Sequence, residues 1–117
     1  MANPFVHLEL NTSNLAKAKD FYGELFGWTF NDMPFAGGVY TTFKPDKEPG
    51  GGLMSIDDAP TGWLAYVGVE DIKAASKKAA ELGAQVLIEA QEIPNVGWFS
   101  VVIDPTGARI AMFQPKM

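Results

Sequence analysis

Apolar and polar residues alternate at residues 5–10, and this is the first regular pattern in the sequence. A period of two is typical of a half-buried strand, because successive side chains of a strand point to opposite faces. Over residues 15–26 the apolar positions recur instead at helical spacing. Three possible N-caps at residues 12–14 precede this run, and Gly27 follows it. The pattern predicts a strand followed by a helix that ends at Gly27.

The order strand, helix, strand, strand, strand occurs twice along the chain. In the second copy Asp71 caps the helix and Gly83 ends it. The two halves align at a nearly constant offset, since Asn14 corresponds to Asp71 (71 − 14 = 57) and Gly27 to Gly83 (83 − 27 = 56). The other predicted strands lie at residues 28–30, 39–43, 53–56, 64–69, 85–88, 97–103 and 109–113.

A repeat of this length, present only twice, indicates a duplicated supersecondary unit rather than a solenoid. The chain has 117 residues, 47% of them hydrophobic, which is enough for one continuous core. We therefore expect a single domain over residues 1–117, with one module at about 1–58 and the other at about 59–117. The sequence Asp104-Pro105-Thr106-Gly107 predicts a type I turn between the last two strands.

Composition excludes several classes of function. Nine basic and fourteen acidic residues give a net charge of −5, which argues against binding to nucleic acid or to an anionic membrane surface. The absence of cysteine excludes disulfides, thiolate nucleophiles and cysteine-ligated metal. No window of the sequence has the length and apolarity of a membrane span, and the first residues lack the features of a secretory signal, so we expect a cytoplasmic location.

Both modules carry residues that resemble a known family. The run from His7 to Leu15, followed by Ala18, Phe21-Tyr22 and residues 25–28, is similar to the opening module of the vicinal oxygen chelate superfamily. That superfamily includes glyoxalase I, bleomycin-resistance proteins and extradiol dioxygenases. The resemblance implies an α+β fold in which two tandem βαβββ modules form a curved mixed sheet around a cleft. It also implies a small-molecule ligand, often held with a divalent metal.

The resemblance implies four metal-ligand positions, on the first and last strand of each module. His7 matches the first position. The other three fall at or near Leu53, Leu64 and Ala111, whose side chains cannot ligate a metal. We therefore expect no cofactor. A divalent metal would require a site completed in a homodimer, the assembly that is common in the family and that we expect here.

The strand period divides the first strand into two faces. Val6, Leu8 and Leu10 are predicted to face the first helix, while His7, Glu9 and Asn11 face the cleft. Because His7 and Glu9 lie two positions apart on one face, they form a candidate catalytic pair for proton transfer. The period leaves the face of Trp98 open. The predicted ligand-binding residues are Asn11, Leu53, Leu64, Tyr66, Trp98 and Ala111.

These observations favour a protein that has lost most of the metal ligands of the family and binds an apolar or aromatic molecule in the cleft between the modules. One alternative is a metal-free enzyme that uses His7 and Glu9. Another is a glyoxalase-like lyase or isomerase, or a dioxygenase-type enzyme, with a metal site completed in a dimer. The sequence leaves open whether any reaction is catalysed. On the first helix, Phe21, Tyr22 and Phe26 are predicted to lie in the core.

Overall fold

The computed structural model describes residues 2–35, 38–55 and 59–116. Within these ranges the chain forms eight strands and two helices in the order βαβββ–βαβββ, which confirms the predicted α+β class with two tandem modules. The predicted end of the fourth strand at residue 56 lies outside the described residues. The elements are β1 (Phe5–Asn11), α1 (Leu15–Phe26), β2 (Thr29–Phe35), β3 (Gly38–Lys44), β4 (Gly51–Met54), β5 (Gly62–Gly68), α2 (Ile72–Glu81), β6 (Gln85–Ile93), β7 (Gly97–Ile103) and β8 (Arg109–Pro115).

The chain divides into two compact units. The first consists of His7–Leu64 and the second of Met1–Val6 together with Ala65–Met117. In the first unit the strand order is β2-β3-β4-β1, with β1 parallel to β4 and the other pairs antiparallel. In the second unit the order is β5-β8-β7-β6, with β5 parallel to β8. Each unit therefore has a mixed sheet in which the first and last strands of the module are neighbours.

The ends of α1 follow from local sequence. The side chain of Asn14 accepts a hydrogen bond from the Lys17 N–H at 3.0 Å, which satisfies one of the free N–H groups of the first turn. At the other end Gly27 has a φ of 72°, a left-handed conformation that glycine adopts readily. The predicted helix bounds are confirmed at both ends.

The core of the first unit lies on the side of its sheet that α1 covers. Leu10, Phe43 and Leu53 are buried there and pack against partly buried side chains of β1, α1 and β2. The prediction that Phe21 and Phe26 are core residues is wrong, since they are 57% and 56% exposed. The apolar stripe of α1 is wider than its contact with the sheet. The aromatic rings that do pack beneath the helix are Tyr22, Trp28, Phe43 and Trp63.

In the second unit a chain of hydrogen bonds joins α2 to an irregular segment of β6. The Ser76 and Ser100 hydroxyl oxygens are 2.7 Å apart, and the Ala90 N–H donates to the Ser100 hydroxyl at 2.7 Å. Ser76 in turn donates to the Ile72 carbonyl. The register of β6 shifts beside Ala90, which has a positive φ of 45°. Ser100 thus accepts from an N–H group that the irregular ladder leaves without a strand partner.

The predicted turn between the last two strands is present. The Gly107 N–H donates to the Asp104 carbonyl at 3.0 Å, and Gly107 has a φ of 101°. The Asp104 carboxylate accepts from the Thr106 hydroxyl and from the N–H groups of Thr106 and Ala108. The hydrogen bond from the Thr106 side chain, reinforced by those from the backbone, holds the pKa of Asp104 below its ordinary value.

Candidate functional site

Register places one residue from each of three strands on the side of the first sheet opposite its core. Leu10 is opposite Leu53 across the parallel β1–β4 pair, and both are buried in the core. Because strand faces alternate, Glu9 and its partner Gly52 lie on the other face. Tyr40 lies on this face as well, two positions before the Thr42 that pairs with Gly52.

His7, Glu9 and Tyr40 meet on this face and are called here the polar cluster. The Tyr40 hydroxyl lies 3.0 Å from His7 Nε2 and donates to Glu9 Oε2 at 3.2 Å. His7 Nε2 and Glu9 Oε2 are 3.7 Å apart, which is too far for a direct hydrogen bond. The side chains of His7 and Glu9 are 31% and 16% exposed. The Tyr40 hydroxyl therefore contacts both members of the predicted pair.

Gly52 leaves room for the Tyr40 hydroxyl. A Cβ at residue 52 would overlap the hydroxyl oxygen and the ring carbon that carries it. Tyr40 can reach both His7 and Glu9 because this position of β4 has no side chain. Sequence reasoning missed Tyr40 and Gly52, since only the pairing of β3, β4 and β1 brings them beside the first strand.

Asn11 and Leu53, which were predicted to bind the ligand, have other neighbours in the structure. The Asn11 amide donates to the Ala59 carbonyl at 3.0 Å and to the Pro60 carbonyl at 3.1 Å, so it holds the segment after β4. Leu53 is fully buried in the core, on the face opposite the polar cluster. The predicted orientation of Leu53 is therefore corrected, because Gly52 is the β4 residue beside Glu9.

Among the remaining predicted residues, Tyr66 and Ala111 come together in the second unit. They are opposite each other across the parallel β5–β8 pair and are 8% and 0% exposed. Ala111 also pairs with Val101, whose neighbour Ser100 points to α2, so Ala111 lies on the face away from that helix.

Trp98 lies on the opposite face of this sheet, the one that α2 covers. It is two positions before Ser100 on β7, and the Lys116 ammonium group lies 5.2 Å from its ring centroid. A cation at this distance from an indole ring is favourable. Trp98 is thus not on the face of Tyr66 and Ala111. Leu64 is partly buried on β5.

The polar cluster does not fit the four-ligand metal site that the family resemblance implies. The β4 residue beside Glu9 is Gly52, and the hydroxyl of Tyr40 occupies the space of a ligand side chain there. The described residues hold no group of three or more His, Asp or Glu side chains placed to share a metal ion. The polar cluster instead contains an imidazole, a phenol and a carboxylate that are joined by hydrogen bonds.

Open depressions also lie among the described residues away from the polar cluster. One, of about 700 Å³, runs between α2 and β6 and includes Lys73 and Glu89 in its wall. The other, of about 620 Å³, lies beside Gly27 at the end of α1. Neither is lined by a residue of the polar cluster. The candidate site is therefore defined by its hydrogen-bonded groups rather than by one of these depressions.

Sequence comparison identifies the family. Residues 5–112 match the family described as "Glyoxalase/Bleomycin resistance protein/Dioxygenase superfamily". The chain belongs to this superfamily. The match includes all three residues of the polar cluster and both helices.

The names of individual relatives describe different functions. The chain is 34% identical over 114 residues to CFP32 of Mycobacterium bovis, which is named as a candidate glyoxylase. The alignment covers 92% of the chain and 44% of the relative. It is 29% identical over 124 residues to the anthracycline biosynthesis protein DnrV of Streptomyces peucetius, covering 91% of the chain and 45% of the relative. The chain thus spans less than half the length of these two superfamily relatives.

A solved structure has the same fold. The hypothetical protein BH1468 from Bacillus halodurans C-125 superposes with a TM-score of 0.79 at 12% identity, covering 100% of the chain and 97% of that protein. At this identity the similarity concerns the fold alone. Among the described residues, no helix is long and apolar enough to span a membrane.

Proposed function

We propose that the chain is a small-molecule-binding member of the superfamily that holds a polar group of its ligand at the polar cluster, without a metal. The observation that carries the proposal is the Tyr40 hydroxyl, which lies between His7 and Glu9 in the space left by Gly52. Partly buried hydrogen-bonding groups on a strand face are typical of sites that orient a small ligand.

The net charge of the chain and the name of one relative favour a particular class of ligand. A net charge of −5 attracts a cationic ligand and repels an anionic one, and it leaves a neutral ligand unaffected. The anthracycline biosynthesis relative supports an apolar, aromatic ligand. We therefore propose a flat aromatic molecule with hydroxyl or amino groups that can bond to the polar cluster.

Binding of doxorubicin, a cationic anthracycline, tests this proposal. We expect saturable fluorescence quenching at one site per chain that is unchanged by EDTA. Replacing Tyr40 with Phe should weaken binding about tenfold, the effect of losing roughly one hydrogen bond. Tyr22→Phe is the matched control, since the Tyr22 hydroxyl instead accepts from Trp63. Absence of saturable binding, or its loss on chelation, would contradict the proposal.

Proton transfer without a metal is the second candidate function. It is favoured by the hydrogen bonds that join the imidazole, phenol and carboxylate, because such groups can exchange protons with a bound substrate. The relative named as a candidate glyoxylase suggests the hemithioacetal of methylglyoxal and glutathione as the test substrate. Turnover in EDTA that is lost in His7→Ala would support this function, and absence of turnover would contradict it.

A homodimer is part of the proposal as well. Its basis is the family resemblance of the two modules. The molar mass of the chain in solution, measured by light scattering, should be about twice the 12.7 kDa of one chain. A mass equal to that of one chain would overturn this part of the proposal and leave the ligand test unaffected.

A further inference from the structure

We propose that the depression between α2 and β6 is a second ligand site, which takes an extended zwitterion, a molecule whose carboxylate and ammonium groups are several bonds apart. The depression has a volume of about 700 Å³, which is in the usual range for sites that bind small molecules. It lies in the second unit, whereas the polar cluster lies in the first. The two sites are therefore built from different segments of the chain.

Small side chains on both walls leave this space open. One face of α2 contributes Ser76 and Ala80, which are about one helical turn apart, and β6 contributes Val86 and Ala90. The side chains of serine and alanine extend no more than one heavy atom beyond Cβ. Helix and strand therefore leave a gap here that a ligand can enter.

An irregularity of β6 brings two consecutive residues to the depression. In a regular strand Glu89 and Ala90 would point to opposite faces of the sheet. The register of β6 shifts at this place and Ala90 has a φ of 45°, so both residues line the same depression. Bulges of this kind re-aim side chains and are frequent beside functional sites.

Buried hydroxyl groups hold the irregular backbone in place. Ser76 donates its single hydrogen to the Ile72 carbonyl, so Ser100 is the donor in the contact between the two hydroxyls. The Ser100 oxygen in turn accepts from the Ala90 N–H. Both serines are almost fully buried. The strained backbone of Ala90 is therefore a fixed feature of the fold, as is typical of positions that orient a ligand contact.

The charged groups around the depression indicate the class of ligand. Lys73 and Lys77 lie one helical turn apart on α2, and Glu89 lies on the β6 wall. Among the described residues none of these three takes part in an ion pair, although opposite charges line the same depression. A carboxylate can bind the two lysines, and an ammonium group can bind Glu89. A molecule that reaches from one wall to the other must carry both groups at a distance from each other.

Three probes of similar length separate this ligand class from simple ions. 6-Aminohexanoate carries both charges, hexanoate only the carboxylate and hexylamine only the ammonium group. Proton–nitrogen correlation NMR follows their binding through the amide signals of Ser76, Glu89 and Ala90. We expect saturable shifts and a millimolar Kd for 6-aminohexanoate, because solvent-exposed ion pairs are individually weak. Each single-charge probe should bind about three- to fivefold more weakly, the effect of losing one such pair.

Substitutions that remove one charge and keep the size of the side chain identify the two ends of the site. Glu89→Gln should weaken binding of 6-aminohexanoate about three- to fivefold without weakening that of hexanoate, whereas Lys77→Met should weaken both. Glu81→Gln and Lys78→Met are the matched controls, since both residues lie on α2 outside the lining of the depression. Both controls should bind as the wild type does.

Ala80→Leu tests the depression itself. Ala80 is an exposed helix residue and leucine is a good helix former, so the variant should fold while its longer side chain blocks the site and abolishes the shifts. The proposal is overturned if a single-charge probe binds as tightly as 6-aminohexanoate, if Glu81→Gln weakens binding as much as Glu89→Gln, or if Ala80→Leu binds as the wild type does. Absence of saturable shifts at α2 and β6 would also overturn it. None of these outcomes affects the doxorubicin test of the polar cluster.

Discussion

The hydroxyl oxygen of Tyr40 lies so close to Gly52 that a Cβ at residue 52 would overlap it. Because of this close approach, a side chain at residue 52 would displace the Tyr40 hydroxyl from the polar cluster. The contact is steric, since Gly52 otherwise has ordinary strand pairing with Glu9 and Thr42.

Gly52→Ala should therefore destabilise the protein by about 1–3 kcal/mol, the usual cost of adding a methylene group to a packed site. Denaturant unfolding measures this change. Gly23→Ala is the control, because a Cβ there meets the Phe30 ring at 3.4 Å and alanine favours the helix. Equal stability of Gly52→Ala and the wild type would contradict the packing described for Tyr40.

Leu53→Ala should be more destabilising, by about 2–5 kcal/mol, because it opens a cavity in a fully buried site. Leu87→Ala is the matched control, since Leu87 is 43% exposed and should change stability little. Thermal unfolding of the two variants makes the comparison. A Leu53→Ala protein as stable as Leu87→Ala would mean that Leu53 faces solvent or a ligand site, as the sequence first suggested.

Asp32 should make the stability of the folded protein depend on pH in the acidic range. Its carboxylate accepts from the Thr41 hydroxyl at 2.6 Å and from the Lys19 ammonium, which lowers its pKa below the ordinary 3.8. Since the folded state binds this proton less tightly than the unfolded state, the stabilisation is present above about pH 4 and is lost as pH falls through the lowered pKa.

The measurement is the melting temperature of wild type and Asp32→Asn between pH 7 and pH 2.5. The difference between them should be constant near neutrality and shrink below about pH 4. Asp46→Asn serves as the control, because Asp46 is an exposed loop carboxylate. A difference that grows as pH falls would contradict the assignment.

Ser100→Ala should destabilise the second unit by about 1–3 kcal/mol. The change removes an acceptor from the Ala90 N–H and a partner from the buried Ser76 hydroxyl. Ser13→Ala, at an exposed position, is the control. Urea unfolding that gives the same midpoint for both variants would show that water replaces the lost hydroxyl at no cost.

Features with a local cause were predictable from the sequence. The bounds of α1 follow from Asn14 and Gly27, and the Asp104 turn follows from its four residues. The face of His7 and Glu9 was also correct, because Leu10 marks the buried side of the same strand. In each case the decisive residues are close to one another in the chain.

Features that depend on pairing between distant segments were not predictable. The face of Leu53 is fixed by its partner Leu10 on β1, and the face of Trp98 by the contact between Ser100 and Ser76. Tyr40 belongs to the polar cluster only because β4 lies between β3 and β1. A period of two gives the alternation within a strand but leaves its phase relative to other strands open.

The parallel pairing of β1 with β4 also determines when this part of the sheet can form. It joins Leu10 to Leu53, 43 residues along the chain, whereas β2 and β3 pair through a short connection. Closing a long loop costs more entropy, so the hairpin is expected to assemble before β1 docks against β4. His7 and Glu9 lie on β1, so the polar cluster forms only after the hairpin that carries Tyr40.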